Sequence, residues 1–299
     1  MIHKIFNILI FVILMPGYIH AQGPRFQEAY ERNSPVFLEK VIAAWAKEIR
    51  PKTIKERSTF KEHVRQGYAV FEAFFDPKNL AQLGGSQIGY DAYLNDRYAV
   101  IVPQLNIYQA DKVYYSVEET KQYTIANINK YVQDKYKTDF IRKVLKGDAE
   151  HILTHYGPYG LEVKDSTTKS VENVLDFRPR MLVEVIPLYL TEKYDAALRN
   201  FLGNETTTFG QSGNLGSSQA TGGSLKRINF LKQIIKVFPG HWGGNWELAT
   251  PPKVNRITFD KEMRYAMISY ELIYEGGRAF MEYKKGKWEL ITAKRTWQE

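Results

Sequence analysis

The stretch from Pro239 to Leu248 (PGHWGGNWEL) holds the residue types best suited to ligand chemistry. Trp242 and Trp246 are four residues apart, so on one β-strand they share a face with their indoles about 13 Å from each other. Two aromatic faces at that spacing can stack sugar rings, and His241, Asn245 and Glu247 would add polar contacts. The intervening glycines would let a ligand approach the backbone. The competing expectation is burial of both indoles as core or edge-covering residues of a sheet, since tryptophan usually sits mostly out of water. Glu247 is also the one acid singled out for glycoside hydrolysis, which needs two carboxylates roughly 5 to 9.5 Å apart. With 33 acids in the chain, spacing cannot choose its partner.

A second constellation is His151 and His155, whose i, i+4 spacing brings both imidazoles to one helix face, as a zinc site requires. Ile152 follows His151 where a zinc peptidase motif needs Glu, and no third ligand is evident, so a pair of surface histidines competes with the metal site. Arg178 and Arg180 flank Pro179 and could clamp a carboxylate or phosphate; the alternative is pairing with neighbouring acids. Ser58 and Lys61 match the S-x-x-K pair of penicillin-interacting serine enzymes, but the companion motifs are absent and a helix-start role for Ser58 is preferred. The chain has neither a phosphate-binding P-loop nor a G-x-S-x-G elbow, and no cofactor is expected. It has no cysteine, which removes disulfides, thiolate ligands and a cysteine nucleophile.

Composition narrows the class further. Across 299 residues, 44% are hydrophobic and 25% charged, a globular balance that excludes collagen-like and largely disordered chains. Lys and Arg outnumber Asp and Glu by 41 to 33, but no run of five basic residues occurs and no nucleic-acid partner is expected. Lys4, the apolar run Ile5 to Met15 and the small residue Ala21 read as a secretory signal cleaved after Ala21. That run is shorter than the roughly 20 residues of a membrane span, and no later stretch is longer, so no transmembrane span is expected in the mature chain. The expected location is the periplasm or the exterior; oligomeric state is open.

The elements that must position these residues follow from pattern. Ser34 then Pro35 starts a helix whose Leu38, Val41, Ile42, Trp45 and Ile49 recur at helical spacing until Pro51. A second helix is predicted to open at Thr59, with Glu62 completing a capping box. Tyr68 to Phe75 is aromatic and ambiguous, while Tyr98 to Tyr108 reads as one strand or two short ones with Pro103 at an edge or bend. A helix is predicted from Thr191, as cap, through Leu202, and another from Ser224 to Phe238. Ala266 to Tyr274, Ala279 to Tyr283 and Trp288 to Trp297 alternate as strands, with turns predicted at Gly276-Gly277 and Lys285-Gly286.

GHWGGNWEL at 240–248, GGRAFMEYKKGKWELI, the closing TWQE and LDFRPRMLVEVIPLYLTEKYDAALRNFLG at 175–203 together resemble uncharacterised exported proteins of the Bacteroidota. That resemblance implies export and brings no activity with it. The helix followed by a curved antiparallel sheet is similar in topology to cone-shaped nuclear-transport-factor-like domains. The expected organisation is α+β: a signal peptide at 1–21, a helix-rich α+β part with some strands at 22–202, a Gly/Ser/Thr-rich linker or loop at 203–224, and a helix packed on an antiparallel meander at 225–299. The expected function is non-catalytic binding of a glycan, small molecule or envelope component, and the alternative is a hydrolase of glycan or another envelope polymer.

Overall fold

The computed structural model describes residues 25–83, 92–114, 116–126, 137–146, 167–202, 217–219, 222–239 and 245–298. Helix α1 (Phe26–Glu31) leads into α2 (Pro35–Glu48), where the Ser34 hydroxyl accepts the Phe37 amide at 3.2 Å with proline in the first turn, as the sequence predicts. Next come α3 (Ile54–Ser58) and α4 (Glu62–Phe74). The capping box belongs to Thr53 and Glu56 at the start of α3, and Thr59 instead follows the end of that helix. Both threonines fit the pattern, but Arg50 also grips Glu56 and settles the choice. The ambiguous aromatic run is helical and supplies the buried face of α4.

Strands β1 (Tyr98–Ile101) and β2 (Leu105–Ala110) are broken at Pro103 and belong to different sheets. Helices α5 (Val117–Ala126) and α6 (Lys137–Lys146), strands β3 (Lys169–Val174) and β4 (Ile186–Tyr189), and helix α7 (Glu192–Leu202) follow. Thr191 precedes α7, but its buried hydroxyl finds no partner among the described residues; the backbone bond from Asp195 N to Thr191 O, at 2.8 Å, closes the turn. Strand β5 (Ser217–Gln219) lies inside the predicted linker, and helix α8 (Gly222–Leu231) starts and stops earlier than its apolar stripe suggests. Short strands β6 (Phe238–Pro239) and β7 (Asn245–Glu247) precede β8 (Lys253–Asp260), β9 (Tyr265–Glu271), β10 (Glu275–Lys284) and β11 (Lys287–Gln298).

The architecture is α+β, with β8 to β11 forming the expected antiparallel meander. The meander extends into a six-stranded mixed sheet, in order β11-β10-β9-β8-β2-β3, through a parallel pairing of β2 with β8. Chain on both sides of residues 203–224 therefore shares one sheet. The Lys285-Gly286 turn forms as predicted, with φ of 52° and 83°. At the preceding hairpin the reversal falls at Leu272–Tyr274, where Ile273 takes φ 75°, and Gly276 and Gly277 lie within β10. Gly277 is needed for close approach: a Cβ there would sit 2.1 Å from the Lys294 carbonyl and 2.5 Å from the Tyr270 hydroxyl.

Two cores result. Helix α4 lies on the six-stranded sheet, where Tyr68, Phe71 and Phe74 meet Ile107, Phe259, Ile268 and Tyr270. The second core joins α1, α2, α7 and α8 through Phe26, Ile42, Trp45, Leu198, Phe201, Ile228 and Leu231. Helix α8 thus packs there, and the meander is covered by a helix from the amino-terminal part. Each large side chain taken out of water contributes about 1.5–3 kcal/mol. The parallel β1–β4 pair partitions the two: Ala99 and Ile101 face the first core, Tyr98 and Val100 the second. Burial on both faces explains the unbroken apolar sequence YAVI.

Candidate functional site

Strand β7 is the central member of a three-stranded antiparallel sheet, with β5 on one edge and β6 on the other. Trp246 pairs in register with Ser218 and Pro239, and Glu247 with Ser217 and Phe238. Nothing in the sequence marked SSQ at 217–219 as a partner for NWE at 245–247, because the all-polar SSQ shows no alternation in hydropathy.

The Glu247 carboxylate lies 4.0 Å from the Lys253 ammonium at the start of β8, and Lys253 also holds Glu271 of β9 at 2.5 Å. Asn255 donates a hydrogen bond to Glu271 from the other side. Glu271 is therefore engaged from two sides, whereas the buried Oε1 of Glu247 has no hydrogen-bond partner among the described residues. Burial pushes the Glu247 carboxyl up to about 7; Lys253 opposes that rise, the negative charge of Glu271 adds to it, and the Ala249 amide opposes it weakly. Burial lowers Lys253, but its two carboxylates outweigh that and raise it.

An aromatic wall stands beside this group. The Tyr93 and Phe238 rings lie 5.7 Å apart, and the Lys236 ammonium sits 5.1 Å from the Tyr93 ring centre and 3.4 Å from Asp96. Lys236 also donates to the Ala92 carbonyl. Burial raises the Tyr93 phenol far above its ordinary value, and the charges of Asp96 and Glu247 add to it. A carboxyl near its midpoint at neutral pH can accept a hydrogen bond from, or donate one to, a hydroxyl group of a ligand.

Of the residues singled out by sequence, Glu247 is at this site, and Asn245 and Trp246 are on its strand with their side chains outside the described set. His241 and Trp242, like His151 and His155, lie outside the described residues. Among the described residues, no group of three or more His, Cys, Asp or Glu could hold a metal ion. Tyr93, Asp96, Lys236 and Lys253 were not anticipated, since tertiary packing alone joins segments so far apart in sequence.

The other constellations are occupied structurally. Ser58 ends α3 with its hydroxyl donating to the Lys55 carbonyl at 2.8 Å, and Lys61 pairs with Glu172 at 2.7 Å, so the two form no dyad. Arg178 donates to the Arg50 carbonyl at 2.9 Å and to Asp176 at 3.0 Å. Glu72 on α4 accepts the Arg180 amide at 2.8 Å and the Arg57 guanidinium at 2.7 Å. The arginines around Pro179 thus pair with neighbouring acids and brace the loop against α4.

Comparison of the chain with protein-family models, with curated proteins and with solved structures found no match.

Proposed function

We propose that this is an exported, non-catalytic binding protein whose ligand site borders Glu247. The observation that supports this most is the Glu247 carboxyl oxygen, buried beside Tyr93 and Phe238 without a hydrogen-bond partner among the described residues. Leaving such an oxygen unpaired costs about 1–3 kcal/mol, which a ligand donor would recover. Export rests on the positive charge, apolar run and small residue within 1–21 and on the resemblance to exported Bacteroidota proteins. Neutral oligosaccharides, which present hydroxyl donors and faces for aromatic stacking, are the favoured class.

The test is a panel of mono- and oligosaccharides scored by the rise in melting temperature of the chain from Gln22, repeated with Glu247→Ala, Trp242→Ala and Trp246→Ala. A sugar that stabilises the parent should no longer stabilise folded Glu247→Ala. Equal stabilisation of both would remove Glu247 from the site. The second reading, a glycan hydrolase, draws on the same carboxyl, since a group poised near 7 suits a general acid. Release of reducing ends by the parent and its loss in Glu247→Gln would favour that reading.

A further inference from the structure

Among the described residues, two carboxylates keep a buried oxygen without a hydrogen-bond partner: Glu247 through Oε1 and Asp96 through Oδ2. Lys236 stands 3.4 Å from that Asp96 oxygen, close enough to balance its charge but not in hydrogen-bond geometry. The lysine donates instead to the Ala92 carbonyl, and its ammonium lies over the Tyr93 ring, 5.1 Å from the centre. Asp96 is thus balanced in charge and still lacks a donor.

The fold brings both acids to one pair of rings. Phe238 lies directly opposite Glu247 in the β6–β7 register, and directly paired residues project to the same side, with Cβ atoms about 5 Å apart. The Phe238 ring meets that of Tyr93 at 5.7 Å. Tyr93 begins the turn that Asp96 closes, with the Asp96 amide donating to the Tyr93 carbonyl at 3.1 Å. Lys236, two residues before Phe238, links the pieces, since its ammonium also lies 6.0 Å from the Phe238 ring centre. Burial raises the Tyr93 phenol most, and the charges of Asp96 and Glu247 both add to the rise. Leu94 within the same turn is exposed, so the turn lies at the surface, where a ligand can reach it.

We propose, resting on the binding role given above to Glu247, that Asp96 is the second anchor of that site. Asp96 Oδ2 accepts one hydroxyl of a neutral sugar while Glu247 engages another, with Tyr93 and Phe238 as the shared apolar surface. The donor at Asp96 must be uncharged. An ammonium bound to the same oxygen would stand beside that of Lys236, and like charges at such range repel. A hydroxyl supplies the missing donor and adds no charge, and a bond to an ionised acceptor is the stronger kind. Two anchors from segments distant in sequence also fix a sugar's orientation, which a single carboxyl does not.

The experiment titrates maltotriose, cellotriose and laminaritriose separately into the folded chain, following backbone amide shifts by NMR. With at least one of them, saturable shifts are expected at Tyr93, Asp96 and Glu247 together, with affinity falling about tenfold or more in Asp96→Ala. Asp96→Asn keeps the shape and a neutral acceptor and should weaken binding by a smaller factor; it takes over the test if Asp96→Ala does not fold. Shifts at Glu247 that leave the Tyr93–Asp96 turn unmoved would overturn Asp96 as an anchor and leave the Glu247 reading in place. So would affinity that is lost in Glu247→Ala but undiminished in a folded Asp96 variant. Saturable binding of none of the three sugars would overturn both.

Discussion

Glu72 and Glu247 are both carboxylates withdrawn from water, and the fold treats them in opposite ways. Around Glu72, α3, α4 and the loop at 178–180 converge so that one guanidinium and one backbone amide reach the same oxygen at 2.7 and 2.8 Å. The Arg57 ring contact with Tyr68, the Tyr68 hydroxyl accepting the Arg178 amide at 3.1 Å, and the Tyr189 hydroxyl donating to the Pro179 carbonyl extend that network. Around Glu247, the nearest cation is 4.0 Å away and shared with a second acid. The Glu72 carboxylate is satisfied within the fold, whereas a buried Glu247 oxygen is left without a hydrogen-bond partner among the described residues.

The sharpest way to break this contrast is Glu72→Ala. It leaves Arg57 buried without its counter-charge and should cost about 3–5 kcal/mol in urea unfolding. A loss under about 1 kcal/mol would mean that Glu72 is no brace. Glu247→Gln should act in the reverse sense and only where the carboxyl is ionised. Its folded value of about 7 lies above the ordinary 4.5, so the native chain holds that proton more tightly than the unfolded chain. The associated stability is fully present below about pH 4.5 and is lost as pH rises through 7, amounting to about 3 kcal/mol. Unfolding curves at pH 5 and pH 8 should therefore converge in Glu247→Gln and diverge in the parent; equal divergence in both would show that Glu247 is not the titrating group. The smallest effect belongs to Lys61→Ala, whose exposed ion pair with Glu172 ties the start of α4 to β3. That change should stay under about 1 kcal/mol by thermal unfolding, and a larger loss would mean that burial is a poor guide to which pairs matter here.

What sequence could show was local. The cap of α2, the break at Pro103, the alternation of β9 and the Lys285-Gly286 turn each depend on a few neighbouring residues, and each appears where expected. Gly276-Gly277 misled because a glycine pair signals a turn, whereas Gly277 answers to Tyr270 and the Lys294 carbonyl, contacts that exist only once β9, β10 and β11 are aligned. Glu247 drew attention through its neighbours in sequence, but the surroundings that set its chemistry come from β8, β9 and the Tyr93 segment.

The parallel union of β2 with β8 also sets a schedule for the nascent chain. As the polypeptide leaves the ribosome, β2 and β3 are made long before the four strands at 253–298 against which the sheet closes. Until then, α4 carries Tyr68, Phe71 and Phe74 with little of the sheet to cover them, and β2 offers an open edge to any passing strand. Sheets joined over such separations form slowly, and premature partners compete during the wait. A chain truncated before Lys253 would lack the cover for its own first core, so this protein is one whose final segment decides whether the earlier ones remain soluble.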